Sequence, residues 1–422
     1  MAMALGHVVT GLDIGTTKIT TIIAEVDENE NVSVIGKGQT PSRGIERGIV
    51  VNLEETVQSI VRSVDEAQHM ADCTVKAVYA GIAGEHIRGI NSRAAVTVGR
   101  TSNEISQEDV KRVIEHAQTI TIPQDLTIIH VIPQEFVVDN QEHVREPVGL
   151  AGSRLEGEVH IVTGAATSVQ NVERAVERAG LQVADIVLQP LASSMAVLTP
   201  DEQELGVAML DVGGGTTDIA IFYRKSIRHT AVVGLGGINV TNDIASVLRT
   251  PMAEAEMLKK RYGCALLDLV PEDREIKPEA GLGGRQPEVI SLRFLTEIIE
   301  SRMEEVFEYA WREIKRTEYH DLLASGVVLT GGGAMIKGAV ELAERVFGVP
   351  VKLGVPMGIG GLSEGVLTPM NATGIGLVLF GASQEVRTHH QYPSVAEAEE
   401  PEQARPRRLE GVRRWFKEFL SG

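Results

Sequence analysis

The chain has 422 residues and a net charge of −18, from 58 acidic and 40 basic side chains, and so acidic a surface excludes nucleic acid as the main partner, because phosphate binding needs a basic footprint. Its length exceeds what one hydrophobic core fills and predicts at least two lobes. Forty-three glycines beside eight Phe, six Tyr and two Trp indicate an α/β protein whose turns approach a ligand closely.

In chain order, residues 7–24 and 31–40 alternate as a β-hairpin around an acidic turn, residues 53–70 have helical apolar spacing, and 75–82 read as a strand. The texture changes over 85–163. There Ser106, three residues before Asp109, caps a helix that precedes two β-rich segments, the pattern of an inserted subdomain. A helix is expected over 168–179, then DIVLQPLASSMAVL as a strand entering a helix. Residues 234–249 form a glycine-turned entry into a helix, 251–262 another helix, and 263–288 an irregular stretch. A long amphipathic helix covers 289–316, and VVLTGGGAMIKG is a strand that breaks at three glycines into a helix.

The most informative feature is a repetition. GLDIGTTKITTII (residues 11–23) and DVGGGTTDIAIF (residues 211–222) share a strand, an aspartate, a glycine turn, paired threonines and a second strand. Such turns bring backbone N–H groups to phosphate oxygens, and Asp13 and Asp211 can hold Mg²⁺ through its waters. Either copy alone is also compatible with an ordinary tight hairpin. Two copies together are the pattern of a split ATPase core.

The two cysteines, Cys73 and Cys264, lack metal or redox spacing and read as buried, inert thiols of a reducing compartment. The start MAMALGHVVT has no basic region, and the longest apolar runs are strand-sized. A cytoplasmic location, or attachment from the cytoplasmic side, is the expectation. Residues 382–404 are polar and acidic and read as a flexible linker. Residues 405–422, with six basic and two acidic side chains, place Val412, Trp415, Phe416, Phe419 and Leu420 on one helical face beside Arg413, Arg414 and Lys417. That is the pattern of a membrane-surface anchor for an anionic leaflet; the alternative is a terminal helix folded back on the core. One such anchor binds reversibly, and a polymer of many binds by avidity.

The doubled unit, the linking segment and the late GGG turn together resemble the actin and sugar-kinase superfamily. Within it the chain most resembles the FtsA family of bacterial division proteins. GLDIGTTKI, LQPLASSMAVL, LGVAMLDVGGGTTDIAIF, GGINVTNDIA, VVLTGGGAMIKG and TGIGLVLFG carry the resemblance, in that order, over nearly the whole chain. It implies an α/β, actin-like two-lobed ATPase fold with duplicated core domains and an FtsA-type inserted subdomain. The first-lobe core would be 1–84 and 164–200, with the insert at 85–163. The second-lobe core would be 201–236 and 321–381, with an accessory subdomain at 237–320.

By resemblance the ligands are ATP and Mg²⁺. Asp13 and Asp211 match the ion-organising acids, with Asp218 behind them; Gly15, Thr16, Thr17, Gly213, Gly214, Gly215 and Thr216 match the phosphate turns. Lys18 either reaches the phosphates or is an exposed strand-end lysine. Gly331, Gly332 and Gly333 match the adenosine turn. Glu256, Lys259 and Lys260 match its ribose and adenine contacts or form a solvated helix face. Gln189 sits where relatives orient the attacking water; a neutral amide is a poor base, so hydrolysis is expected to be slow.

The resemblance also implies self-assembly into filaments at the division site, on the cytoplasmic face of the membrane, and attachment of FtsZ through its C-terminal peptide. Arg302, with Arg293 three turns back on a nearby helical face, would contact that peptide or be plain surface arginines. Another actin-like assembly ATPase of the pilus-assembly or cell-shape type, or a sugar-kinase-like phosphotransferase, is the alternative reading.

Overall fold

The computed structural model describes residues 7–99, 103–270, 272–279, 281, 288–362 and 365–391. The helices, in chain order, are α1 (Leu53–Ala71), α2 (Gln107–Ala117), α3 (Ala166–Arg178), α4 (Gln189–Val197) and α5 (Pro200–Leu205). They continue with α6 (Gly237–Leu248), α7 (Met252–Tyr262), α8 (Leu292–Lys315), α9 (Ala339–Phe347) and α10 (Ala372–Gln391).

Two sheets carry the duplicated hairpins. In the first, the strands run in the order Gln182–Leu188, Ala77–Ile82, His7–Ile14, Lys18–Val26, Val32–Pro41 and Gly360–Gly361. In the second the order is Val351–Leu353, Val327–Thr330, Val207–Val212, Thr217–Tyr223 and Ser226–Val233. Each hairpin's first strand pairs antiparallel with its second and parallel with a later strand of the chain. The sequence repeat is therefore a repeat of topology. Strands such as Val207–Val212 are buried at every position, as expected where helices cover both faces.

α4 and α10 cross between the sheets. One core joins Val9 and Ile22 of the first sheet, Val207 and Met209 of the second, Ala192 and Ala196 of α4, and Ile375 and Val378 of α10. On the outer face of the first sheet, Ile60 and Val64 of α1 meet Val172 and Val176 of α3. Outside the second, Leu295, Ile299, Met303, Val306 and Phe307 of α8 pack with α6, α7 and α9.

The insert has its own four-stranded antiparallel sheet, ordered Arg88–Thr97, Arg154–Ala165, Leu126–Val138 and Gln141–Val144, backed by α2. Ser106 and Asp109 form the expected capping box: the Ser106 hydroxyl accepts the Asp109 N–H at 3.2 Å, and the Asp109 carboxylate accepts the Ser106 N–H at 3.0 Å. A separate core of Val110, Val113, Ile114, Phe136, Leu155 and Ile161 holds the insert together.

A polar seam ties the insert to the outer strand of the second sheet, Ser226–Val233. Gln134 Nε2 donates to the Ile227 carbonyl at 2.6 Å, Ser226 Oγ donates to the Gln134 carbonyl at 2.7 Å, and Asn91 Nδ2 donates to the Arg228 carbonyl at 3.1 Å. His160 Nε2 lies 2.9 Å from Thr230 Oγ1, and Arg228 pairs with Glu135 at 3.1 Å. Burial lowers His130 to about 4 and His160 to about 3, the latter with help from His229 and His130, so both rings are neutral at physiological pH.

Three expectations change. α10 runs on to Gln391, past the expected linker start at residue 382. Ala382 and Gln384 are still buried, and Glu385, Arg387 and Gln391, which follow, are good helix formers, so polarity alone did not mark an end. Cys264 is buried, but Cys73 is only half-buried. The short α5, with its Thr199–Glu202 capping box, and the strand Ser226–Val233 were not anticipated. The rest of the expected linker and the terminal segment with Val412, Arg413, Arg414, Trp415, Phe416, Lys417, Phe419 and Leu420 lie outside the described residues. No described helix is long and apolar enough to cross a membrane.

Candidate functional site

The hairpin turns meet at a cleft of about 1350 Å³ between the two sheets, and both line it. Their registers match: Asp13 lies opposite Thr20, and Asp211 opposite Asp218. Each turn is closed by its first glycine, with Gly15 N–H donating to the Lys18 carbonyl at 3.1 Å and Gly213 N–H to the Thr216 carbonyl at 2.9 Å. Thr16, Thr17, Gly214, Gly215 and Thr216 line the same cleft. α6 starts on the second turn, where Gly237 and Ile238 N–H groups take the Gly213 and Gly214 carbonyls.

The three aspartates are buried. Gln189 Nε2 donates to Asp13 Oδ1 at 3.2 Å. Asp211 Oδ2 accepts hydroxyl protons from Ser193 at 2.6 Å and Thr373 at 3.1 Å. Burial pushes the Asp13 carboxyl up to about 6, against the pull of Lys18 and with Asp211 adding to the rise. Asp211 is raised by burial, while Ser193, Thr373 and Lys18 oppose the shift. Burial, then the charges of Asp211 and Asp13, raise Asp218 furthest, and its Oδ1 has no protein partner. Three converging carboxylates in one dry site repel each other until a cation compensates.

Lys18 is a half-buried residue and not an exposed strand-end lysine; its ammonium donates to the Met370 carbonyl at 2.6 Å and to Thr20 Oγ1 at 3.2 Å. Burial lowers its pKa, and Asp13 works in the opposite direction. No cluster of three His, Cys, Asp or Glu placed to grip a metal occurs among the described residues. The arrangement suits a hydrated ion such as Mg²⁺, which keeps several waters and meets carboxylates through them.

Farther along the cleft, Gly331, Gly332 and Gly333 follow the strand Val327–Thr330. Gly331 has φ +85°, and a Cβ there would lie 2.3 Å from Asp211 Oδ1, so glycine is required. On α7, Glu256 pairs with Lys259 at 2.7 Å and Lys260 at 3.2 Å. Lys259 also donates to the Gly237 carbonyl and to Thr241 Oγ1, both at 2.8 Å. Glu256 and Lys259 therefore face the cleft wall, and Lys260 stands on its exposed rim.

Arg302 and Arg293 are not brought together. Nine residues on a helix turn a side chain to about the opposite face. Arg302 forms a two-pronged ion pair with Asp243 of α6, Nε at 2.5 Å and Nη2 at 3.1 Å, and also contacts Glu305. Arg293 donates to the Val270 carbonyl at 2.7 Å, on a different side of α8. The two arginines do not form a joint site.

Comparison with known proteins accounts for this arrangement. The family described as "Cell division protein FtsA" matches residues 208–376, and that described as "SHS2 domain inserted in FTSA" matches 84–163. The cell division protein FtsA of Pseudomonas aeruginosa is 48% identical over 90% of both chains. The chain belongs to the FtsA family. FtsA of Escherichia coli is 40% identical, covering 88% of this chain and 90% of its own. Among solved structures, the type IV pilus PilM–PilN complex is similar with a TM-score of 0.63 at 16% identity, over 89% of this chain and 98% of that one. MreB5 of Spiroplasma citri bound to ADP gives 0.55 at 13% identity, over 92% and 99%. These likenesses show an actin-like fold for this FtsA-family cell division protein.

Proposed function

We propose that this FtsA-family chain binds Mg²⁺-ATP in the cleft, turns it over slowly, assembles on the cytoplasmic face of the membrane and tethers FtsZ there. The observation that carries the nucleotide reading is the convergence of Asp13, Asp211 and Lys18 from two equivalent turns on one large cleft. When bound, the ion supplies charge neutralisation for the phosphates. Asp13 and Asp211 would hold its waters, with Asp218 behind, Lys18 would meet phosphate oxygens, and Gln189 would orient a water beside Asp13. Glu256 and Lys259 lie on the adenosine side.

Membrane attachment rests on the sequence of residues 405–422 and partner binding on family membership. ATP binding with and without Mg²⁺ tests the first part: tight, Mg²⁺-dependent binding by the full chain is expected, and its absence rejects the reading. Co-sedimentation with anionic liposomes, comparing the full chain with one ending at Ala404, tests the anchor; equal behaviour rejects it. Arg302→Glu is expected to weaken binding of the FtsZ C-terminal peptide and leave ATP affinity unchanged. Unaltered peptide affinity removes Arg302 from that contact.

A further inference from the structure

We infer that Ser193 and Thr373 are positioning residues for Asp211: by holding one carboxylate oxygen they fix the plane of the group and turn its other oxygen toward the ion's waters. This deepens the nucleotide reading and rests on it. Both hydroxyls are buried, and neither belongs to the hairpin they serve. Ser193 comes from α4 and Thr373 from α10, the helices that cross between the sheets. They converge on a single atom, Asp211 Oδ2, and lie 3.0 Å from each other.

The proton count makes this pair directional. A hydroxyl has one proton, and the 2.6 Å contact assigns that of Ser193 to Asp211. Thr373 then donates to Asp211 Oδ2, with the Ser193 oxygen beside it as a second acceptor. Oδ2 is saturated on its buried side, and Oδ1 is the oxygen left for the cleft, at the approach of Gly331. Turning the carboxylate out of this plane would break two hydrogen bonds to a charged group.

The crossing itself is fixed. A Cβ at Gly376 would stand 1.8 Å from the Ala192 carbonyl oxygen, so α10 rests directly on α4 backbone, next to Ser193 and one turn after Thr373. One turn before Ser193, on the same face of α4, Gln189 holds Asp13 of the other hairpin. α4 thus sets the orientation of one carboxylate from each lobe, and the two acids stay in register only while the helices keep this crossing.

The test uses the full chain and fluorescent ATP, titrated with excess Mg²⁺ and again in EDTA, together with thermal melting. Ser193→Ala and Thr373→Val remove a hydroxyl, and Thr373→Ser keeps it. The expected result is that the Mg²⁺-dependent gain in affinity falls by about tenfold in each of the first two variants. Thr373→Ser retains the gain, and affinity in EDTA is unchanged throughout. A full gain in Ser193→Ala and Thr373→Val overturns the assignment, as does an equal loss in EDTA or one that merely follows the melting temperature. A wild-type chain that binds no ATP would instead overturn the nucleotide reading, which separates the two failures.

Discussion

The two phosphate-type turns have the same length, register and closure, although the strands of the first hairpin are longer, and they are made differently. The first turn carries side chains, Thr16, Thr17 and Lys18, and supplies a cation. The second is stripped to Gly213, Gly214 and Gly215, and opposite its aspartate it has a further acid, Asp218, where the first has Thr20. The reason is their close approach: a Cβ at Gly214 would lie 2.4 Å from Thr17 Cγ2, and one at Gly215 2.6 Å from Thr16 Oγ1. One copy has kept side chains into the space the other vacates. Duplicated topology has been divided into a charged half and a bare-backbone half, with the negative charge shared between them.

The largest test of that division removes a carboxylate. Asp13 is raised from 3.8 to about 6, so its favourable contribution is fully present below pH 3.8 and is lost as pH rises through 6. Above that the ionised group costs the ligand-free fold about 3 kcal/mol. Asp13→Asn should therefore melt higher than wild type above pH 6, with no difference near pH 4, in melting curves recorded across that range. His130 and His160 contribute stability that is lost as pH falls from 6.5 through their depressed values, but they titrate in both proteins and cancel in the difference.

Next in size is Lys18→Thr, which gives both turns the same residue at this position, as Lys18 and Thr216 occupy equivalent places. ATP affinity in Mg²⁺ should fall by about 30-fold, about 2 kcal/mol, as measured by equilibrium titration. Equal affinity would mean that Lys18 only anchors the Met370 carbonyl. The smallest effect is expected for Gly214→Ala, which fills the space against Thr17 and should cost about 1 kcal/mol by chemical denaturation. Thr17→Gly in the same chain should relieve most of that loss; an additive pair would show that the turns do not touch in solution.

Much of this was legible in the sequence because the repeat is local: a strand, an aspartate and a turn lie within a dozen residues, and Gln189 opens a recognisable linking segment. The hydroxyls that fix Asp211 were not legible. Ser193 is 18 residues from it and Thr373 is 162, and only the helix crossing brings them together. Both sat inside quoted motifs, and the i, i+4 spacing of Gln189 and Ser193 was the available signal. Arg302 and Arg293 were read as lying on nearby faces of one helix, whereas nine residues turn a side chain to about the opposite face. The seam was illegible for another reason: its bonds run largely from side chains to backbone carbonyls, which carry no residue-type signature.

The strand Ser226–Val233 belongs to two places at once. Along its length it is held by Gln134, Asn91 and His160 of the insert, and beyond its end Leu235 accepts a hydrogen bond from Thr217 as Gly236 folds onto the carbonyls of the second phosphate turn. It acts as a pushrod, stiff along its axis and fastened at both ends. A displacement of the insert would therefore load the floor of the cleft through these bonds, and a displacement of the floor would load the insert. Thermodynamic reciprocity makes the exchange even: whatever factor binding at one end would impose on binding at the other is returned unchanged.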